Sequence, residues 1–136
     1  MKKKKVLFIC THNSARSQMA EGLVNHLYKD QLRGYSAGTE KTDVKPMAVK
    51  AMKDINIDIS NQYSKTIDEF KNKKFDAVVT VCDDAKNNCP FFPGADKYYH
   101  VSLKDPSDIK SSKKERLEAF IKTRKLIHKW IKNNLI

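Results

Sequence analysis

The chain of 136 residues has no hydrophobic run that approaches the roughly 18 residues needed to span a bilayer. Near the start, lysines at positions 2–5 resemble the charged region of a signal peptide, but the apolar run behind them covers only residues 6–9. That run is too short for the hydrophobic region of a secretory signal. We therefore expect a cytoplasmic protein that does not bind membranes, and we expect a monomer.

Cysteine is scarce, with Cys10, Cys82 and Cys89 the only three in the sequence. An odd number does not suit a closed disulfide framework, and in a reducing compartment cysteines are more often catalytic, redox-active or buried. No two of them have the Cys-x-x-Cys spacing, and no histidine stands near one in the pattern of a zinc site. The sequence therefore predicts no metal centre.

Acidic residues are few, since 16 Asp and Glu stand against 27 Lys and Arg and leave a formal net charge of +11. Such an excess invites a nucleic-acid hypothesis. However, the lysines are spread along the whole chain, and no basic segment is interleaved with aromatic residues. We therefore expect no nucleic-acid partner, and the positive field would help to capture a small dianion. A non-enzymatic basic module that binds oxyanions or nucleic acid is an alternative.

Strand and helix patterns alternate along the chain and predict one α/β domain over residues 1–136. Apolar runs predict strands at 6–9, 33–36, 75–81 and 98–101, with a turn at 37–39 after the second. Helical spacing predicts helices at 17–30, 46–54, 66–70 and 112–134, and the polar, Pro-rich residues 83–94 predict a loop. This alternation favours a doubly wound sheet of four parallel strands. The apolar stripe predicted for the first helix comprises Met19, Ala20, Leu23, Val24 and Leu27.

The stretch from residue 6 to residue 20 is the most informative part of the sequence. An apolar run stops at Cys10, and a helical pattern begins near Ser17. Strand, tight loop and helix in this order place backbone N–H groups and a helix N-terminus around one point, which forms an anion site. Those amides, the helix dipole and Arg16 would stabilise a thiolate at Cys10. The arginine fork can also hold two oxygens of a tetrahedral oxyanion. The residues expected to bind the anion are Thr11, His12, Asn13, Ser14, Ala15 and Arg16.

A purely structural interpretation of the same residues makes Cys10 a small apolar residue at a strand end and Arg16 a surface charge. The combination Cys-x5-Arg-Ser directly between a strand and a helix is hard to explain by packing. A nucleophile beside an anion clamp explains it. We therefore predict that Cys10 is a nucleophile that faces a bound phosphate-like anion.

Three of the predicted strands end at, or lead to, residues with reactive side chains at one edge of the sheet. The first ends in Cys10, the third in Cys82, and the last leads to Asp105. Ligands of such sheets lie at the carboxyl ends of the strands. We therefore expect these residues to meet at one site.

Residues 10–17, Cys-Thr-His-Asn-Ser-Ala-Arg-Ser, resemble the active-site loop of the low-molecular-weight protein tyrosine phosphatase superfamily, and Asp105-Pro106 resembles its general-acid loop. Residues 82–90, Cys-Asp-Asp-Ala-Lys-Asn-Asn-Cys-Pro, together with Cys10, resemble the cysteine set of thioredoxin-coupled arsenate reductases. The likeness runs over almost the whole chain. It implies a flavodoxin-like strand order 2-1-3-4 and arsenate as the substrate.

The resemblance also implies a role for each residue of the loop. Arsenate would be held by the loop amides and Arg16, while Cys10 attacks arsenic and Asp105 donates a proton to the departing oxygen. Ser17 would hydrogen-bond the Cys10 sulfur, and Asn13 would hold the loop in shape.

The same likeness implies a relay through the other two cysteines. Cys82 would attack the sulfur of Cys10 and release arsenite, and Cys89 would then form a Cys82–Cys89 disulfide that thioredoxin reduces. The segment that carries this disulfide would have to move. No cofactor is needed, and the implied function is arsenic detoxification.

Some relatives bind a monovalent cation beside this loop. Asn13, Glu21 and Ser36 resemble that site, but Lys65 stands where an acidic ligand is expected. Because its ammonium group can replace the cation, we predict no metal.

The alternative enzyme is a phosphatase for phosphotyrosine or small aryl phosphates. Phosphoryl transfer through Cys10 needs neither Cys82 nor Cys89, so the importance of those two residues discriminates between the activities. A weak phosphatase side activity is compatible with a reductase.

Overall fold

The computed structural model describes residues 3–82 and 92–136. Its strands are β1 (Lys4–Cys10), β2 (Leu32–Gly38), β3 (Phe75–Cys82) and β4 (Ala95–Ser102). Its α-helices are α1 (Arg16–Leu27), α2 (Pro46–Lys53) and α3 (Lys113–Asn134), and short 3₁₀ helices span Ile67–Phe70 and Pro106–Asp108. In the part of the chain described, no helix is both long and apolar enough to cross a membrane.

All four strands are parallel and lie in the order β2-β1-β3-β4, which confirms the predicted fold class and strand order. The chain runs from β1 to one side for β2 and then to the other side for β3. The strand order therefore reverses at the carboxyl ends of β1 and β3, where open α/β sheets form their ligand crevice.

The second strand is longer than its sequence pattern indicates. Residues 37–39 were predicted as a turn, but Ala37 and Gly38 belong to β2 and pair with Ile9 and Cys10 of β1. The Gly38 N–H also donates to the Lys65 carbonyl at 2.9 Å. The prediction was wrong because partners from distant parts of the chain supply hydrogen bonds that extend the strand past the turn-like sequence.

Two apolar clusters cover the two faces of the sheet. The larger one packs α1, α2 and α3 against β-strand side chains such as Phe8 and Val79. The smaller one lies around Phe70 and Phe75, whose rings meet edge to face at 5.7 Å. Of the stripe predicted for α1, Leu27 is 46% exposed because it is the last residue of that helix. The other four residues of the stripe are buried.

A buried arginine joins α3 to the end of α2. Arg124 is 5% exposed, and its Nη1 donates to the Ala51 carbonyl at 2.6 Å and to Asp54 Oδ2 at 3.1 Å. The Ala51 carbonyl is one of the last four carbonyls of α2. Carbonyls at this end of a helix lack a following helical N–H group to bond them. Arg124 therefore satisfies a helix end that packing against α3 removes from water.

Replacing Arg124 with Met should lower the free energy of unfolding by about 2 kcal/mol, because a buried carbonyl loses its charged donor. Replacing Asp54 with Ala should cost less than about 1 kcal/mol, since the Asp54 side chain is 57% exposed and its ion pair is weakened by water. Urea unfolding of both variants measures the difference. An equal loss in the two variants would contradict a role for the Ala51 carbonyl.

Candidate active site

The segment between β1 and α1 lies at the carboxyl edge of the sheet, beside the point where the strand order reverses. Cys10 ends β1 and is 2% exposed, while Arg16 and Ser17 open α1 with 3% and 0% exposure. The residue that caps α1 is Ala15, whose side chain makes no capping hydrogen bond. The first N–H groups of α1 therefore keep their capacity for an anion.

The carbonyl groups of this loop are all bonded to the surrounding protein. Neighbouring amides and hydroxyls donate to Thr11 O and His12 O at 2.9–3.1 Å, Lys45 N to Ser14 O at 2.8 Å and Met19 N to Ala15 O at 2.9 Å. In a trans peptide the carbonyl and the next N–H point in opposite directions. We therefore expect the N–H groups of residues 12–16 to point away from these partners, where they can bind an oxyanion.

Asn13 holds the centre of the loop from a left-handed backbone conformation, with φ of 51° and no exposed surface. Its Oδ1 accepts from Lys65 N at 2.9 Å and from Gln18 Nε2 at 2.9 Å, which leaves its Nδ2 to donate to Ser17 Oγ at 2.8 Å. The Ser17 hydroxyl therefore has its own proton available for Cys10 Sγ, which lies 2.8 Å away. A thiolate at Cys10 would be stabilised by this bond.

Two glutamines that the sequence analysis did not single out support Asn13 from behind. Gln18 has no exposed surface and donates to Asn13 O at 3.0 Å, while Gln62 donates to Gln18 Oε1 at 2.8 Å. On helical spacing alone Gln18 belongs to a polar face. A signal does exist one turn later, since Gly22 inside a helix indicates close packing on that same face.

Arg16 is bonded to two groups that follow β4. Its Nη1 donates to the Leu103 carbonyl at 2.9 Å, and its Nη2 lies 3.7 Å from Asp105 Oδ2. The predicted clamp and the predicted general acid are thus brought together although 89 residues separate them. In this arrangement Asp105 competes with an incoming oxyanion for the guanidinium charge.

The Asp105 carboxyl is held as an anion. Partial burial acts to raise its pKa, but the hydrogen bonds from Ser107, followed by the charges of Arg16 and His12, outweigh burial and hold the pKa below its usual range.

A cavity of about 470 Å³ opens beside the loop. His12, Ser14, Asp105 and Ser107 contribute to its wall. Half-exposed His12 has its Nε2 3.3 Å from Glu40 Oε2 at the rim. The cavity is large enough for a tetrahedral oxyanion, and neither Cys10 nor Arg16 is among the residues that line it.

These features have counterparts in known proteins. The model of the low molecular weight phosphotyrosine protein phosphatase family matches residues 5–134. The chain belongs to this family.

Arsenate reductases are among its similar proteins. The arsenate reductase of Staphylococcus xylosus is 46% identical over 122 residues, which cover 90% of this chain and 93% of that protein. A solved arsenate reductase in a phosphate-binding state has a TM-score of 0.82 at 33% identity and covers 96% of this chain and 95% of that one. The thioredoxin-dependent arsenate reductase of Corynebacterium glutamicum has a TM-score of 0.66 at 25% identity, covering 96% of this chain and 63% of that one.

The Lys65 ammonium group lies beside Glu21, one of the residues in which the sequence resembles a monovalent-cation site. Lys65 Nζ lies 3.6 Å from Glu21 Oε1, donates to the Tyr63 carbonyl at 3.0 Å and stands 4.6 Å from the centre of the Tyr63 ring. Ser36 Oγ donates to the same Glu21 oxygen at 2.7 Å. In the described part of the chain, no group of three or more His, Cys, Asp or Glu side chains is arranged to hold a metal ion.

The other two cysteines of the predicted relay are described only in part. Cys82 is the last residue of β3 and pairs with Ser102 of β4, so its backbone lies at the carboxyl edge of the sheet, as does that of Cys10. Cys89 and most of the predicted loop at 83–94 lie outside the described residues.

Replacing Gly38 with Ala should weaken phosphate binding at least about tenfold and lower the free energy of unfolding by about 1–3 kcal/mol. A Cβ at this position would lie 2.7 Å from Thr11 O, 2.9 Å from Asn13 N and 3.0 Å from Cys10 O. The backbone of residues 11–15 between β1 and α1, called the anion loop below, must therefore shift. Calorimetric titration with inorganic phosphate and urea unfolding measure the two effects.

The matched control is Gly22→Ala, whose Cβ would lie 2.6 Å from a methyl group of Ile59. It meets side chains rather than the loop and should destabilise the fold with little effect on phosphate affinity. Wild-type phosphate affinity in Gly38→Ala would contradict the close approach of β2 to the loop.

Replacing Asp105 with Asn should lower stability at about pH 7 and have almost no effect at about pH 2. The folded chain lowers the pKa of Asp105, so the ionised form stabilises the fold above the unfolded-state pKa. This contribution is lost as the pH falls through the folded-state pKa. Urea unfolding at a series of pH values measures it, with Asp30→Asn on the exposed surface as the control. A stability difference that grows towards acid pH would contradict the assignment.

Proposed function

We propose that the chain reduces arsenate to arsenite through Cys10, Cys82 and Cys89, with thioredoxin as the electron donor. The observation that carries the proposal is the buried Cys10 sulfur, 2.8 Å from the Ser17 hydroxyl, at the base of a loop whose carbonyls are bonded to other groups of the protein. The similar proteins include arsenate reductases, and one of these was solved in a phosphate-binding state. They support arsenate as the substrate.

Binding begins when the oxyanion enters the loop opposite Arg16. The Arg16 guanidinium then donates hydrogen bonds to two oxygens of the substrate in place of its ion pair with Asp105. The negative charge of the substrate then raises the pKa of Asp105, because two like charges disfavour each other. Binding of the substrate thereby favours the protonated form of Asp105, which is the proton donor of the next step.

The Cys10 thiolate then attacks arsenic and forms a sulfur–arsenic bond. One hydroxyl group of the singly or doubly protonated arsenate accepts a proton from Asp105, and its bond to arsenic breaks to release water. The Ser17 hydroxyl, which donates to the sulfur before attack, releases it as the bond forms.

Two electrons reach arsenic in the next step. The Cys82 thiolate attacks the Cys10 sulfur, the sulfur–arsenic bond breaks, and its electron pair stays on arsenic as As(V) becomes As(III). Cys89 then attacks the Cys82 sulfur, which frees the Cys10 thiolate and leaves a Cys82–Cys89 disulfide. The dithiol of thioredoxin reduces this disulfide and becomes a disulfide itself.

Two observations support this relay. The backbones of Cys10 and Cys82 end neighbouring parallel strands at the same sheet edge. A similar solved structure is that of a thioredoxin-dependent arsenate reductase.

Hydrolysis of phosphotyrosine or of small aryl phosphates is the second candidate. It is favoured by the family to which the chain belongs and by a site in which Cys10, Arg16 and Asp105 suffice for phosphoryl transfer. It requires neither of the other cysteines.

The test is arsenate-dependent NADPH oxidation coupled through thioredoxin reductase and thioredoxin. Wild type should turn over continuously, Cys10→Ser and Cys82→Ser should be inactive, and Cys89→Ser should stop after one turnover with a Cys10–Cys82 disulfide. Mass spectrometry of alkylated peptides identifies the stalled disulfide.

Hydrolysis of an aryl phosphate by the same variants is the control. Activity that survives in Cys82→Ser and Cys89→Ser but not in Cys10→Ser shows that the anion loop is intact. Sustained thioredoxin-linked turnover by Cys89→Ser would overturn the relay. Aryl-phosphate hydrolysis without any arsenate reduction by wild type would favour the phosphatase.

A further inference from the structure

Asp105 is bonded twice by a residue to which neither the sequence analysis nor the proposed reaction assigns a role. The backbone N–H of Ser107 donates to Asp105 Oδ1 at 3.0 Å, and its hydroxyl donates to the same oxygen at 2.7 Å. The other oxygen, Oδ2, is the one that faces Arg16 at 3.7 Å.

The two donors determine where a proton can be added. Oδ1 already accepts two hydrogen bonds, so protonation there would require one donor to be displaced. The proton must therefore be added to Oδ2, which points towards Arg16 and the anion loop. Ser107 thus orients the carboxyl so that its free oxygen is the one that faces the substrate.

The backbone and hydroxyl bonds differ in how easily they change. The N–H bond belongs to the 3₁₀ turn at Pro106–Asp108, of which Asp105 is the capping residue. The hydroxyl bond depends on the side chain alone. The hydroxyl bond is the shorter of the two, at 2.7 Å against 3.0 Å for the N–H bond. Its acceptor is charged, which makes it stronger than a hydrogen bond between neutral groups.

We infer that the Ser107 hydroxyl is a positioning group that sets the upper pH limit of catalysis by holding Asp105 in its charged form. The inference rests on the proposed function, in which Asp105 donates a proton to the departing oxygen. If Asp105 loses its proton at a lower pH, the reaction that depends on that proton also stops at a lower pH. Without the hydroxyl, Asp105 should keep its proton to a higher pH.

The other charged groups around Asp105 come from four segments. Arg16 belongs to α1, His12 to the anion loop, and Asp108 to the 3₁₀ turn. Asp43 and Lys45 line the same cavity. Arg16 and His12 act in the same direction as Ser107 and lower the pKa of Asp105. Their charges stay in place in a Ser107 variant, so the variant isolates the hydroxyl.

The first measurement is a ¹³C NMR titration of the Asp105 carboxyl in the full chain without substrate, with Asp105→Asn to assign the resonance. In Ser107→Ala the titration midpoint should move to higher pH, and Ser107→Thr, which keeps a hydroxyl, should stay close to wild type. Ser112→Ala is the matched control, because its hydroxyl caps α3 at Glu115, outside the site.

The second measurement is the pH profile of kcat for arsenate, which reports the ionisation of the enzyme–substrate complex, where bound arsenate raises the pKa of Asp105. The basic limb should move upward by about one pH unit in Ser107→Ala and should not move in Ser107→Thr or Ser112→Ala. The ionisation of arsenate is common to all variants. A merely structural effect would lower activity equally across the profile and leave the limb in place.

An unchanged NMR midpoint in Ser107→Ala overturns the inference, and so does a moved midpoint with an unmoved limb. A moved midpoint and a moved limb together support it. Absence of arsenate reduction in wild type overturns the proposed function instead, and the NMR titration then decides by itself whether the hydroxyl holds Asp105 in its charged form.

Discussion

The anion loop can face a substrate with its amides only while its carbonyls are bonded elsewhere. The peptide groups between Cys10 and Arg16 are rigid units whose two polar ends point in opposite directions. Each carbonyl of this loop has a donor from a neighbouring segment. The inward direction of the amides is therefore a property of the whole carboxyl edge of the sheet. The local sequence of the loop cannot impose it alone.

Burial makes this arrangement rigid, because a polar group removed from water must keep its partner. The chain of bonds runs from Gln62 through Gln18 and Asn13 to Ser17 and ends at the Cys10 sulfur. In the described part of the protein, no fully buried side-chain nitrogen or oxygen lacks a hydrogen-bond partner. Any rotation of Asn13 would leave several of these groups unpaired, so the site stays organised before a ligand arrives.

The charges of the site are balanced in the absence of a ligand. Arg16 pairs with Asp105, and Lys65 pairs with Glu21. An oxyanion that enters disturbs the first pair and leaves the second in place. The ligand-free chain is thus stable with a buried guanidinium, and in the proposed reaction the energy of binding is used to redistribute charge around the proton donor. The second pair places the Lys65 ammonium group beside the Glu21 carboxylate without a bound ion.

The sequence by itself determined the fold class, because alternating apolar runs and helical stripes leave few other ways to bury their hydrophobic faces. It also predicted a nucleophile and an anion clamp, since Cys10 and Arg16 stand at a characteristic spacing between a strand and a helix. The tertiary structure alone decided that Asp105 pairs with Arg16 and that Ser107 holds it. It also decided that Gln18 supports the loop, because contacts between residues far apart in the chain leave no periodic trace in the sequence. Such distant contacts also explain why β2 continues to Gly38. Backbone hydrogen bonds with other segments there outweigh a turn-like sequence pattern.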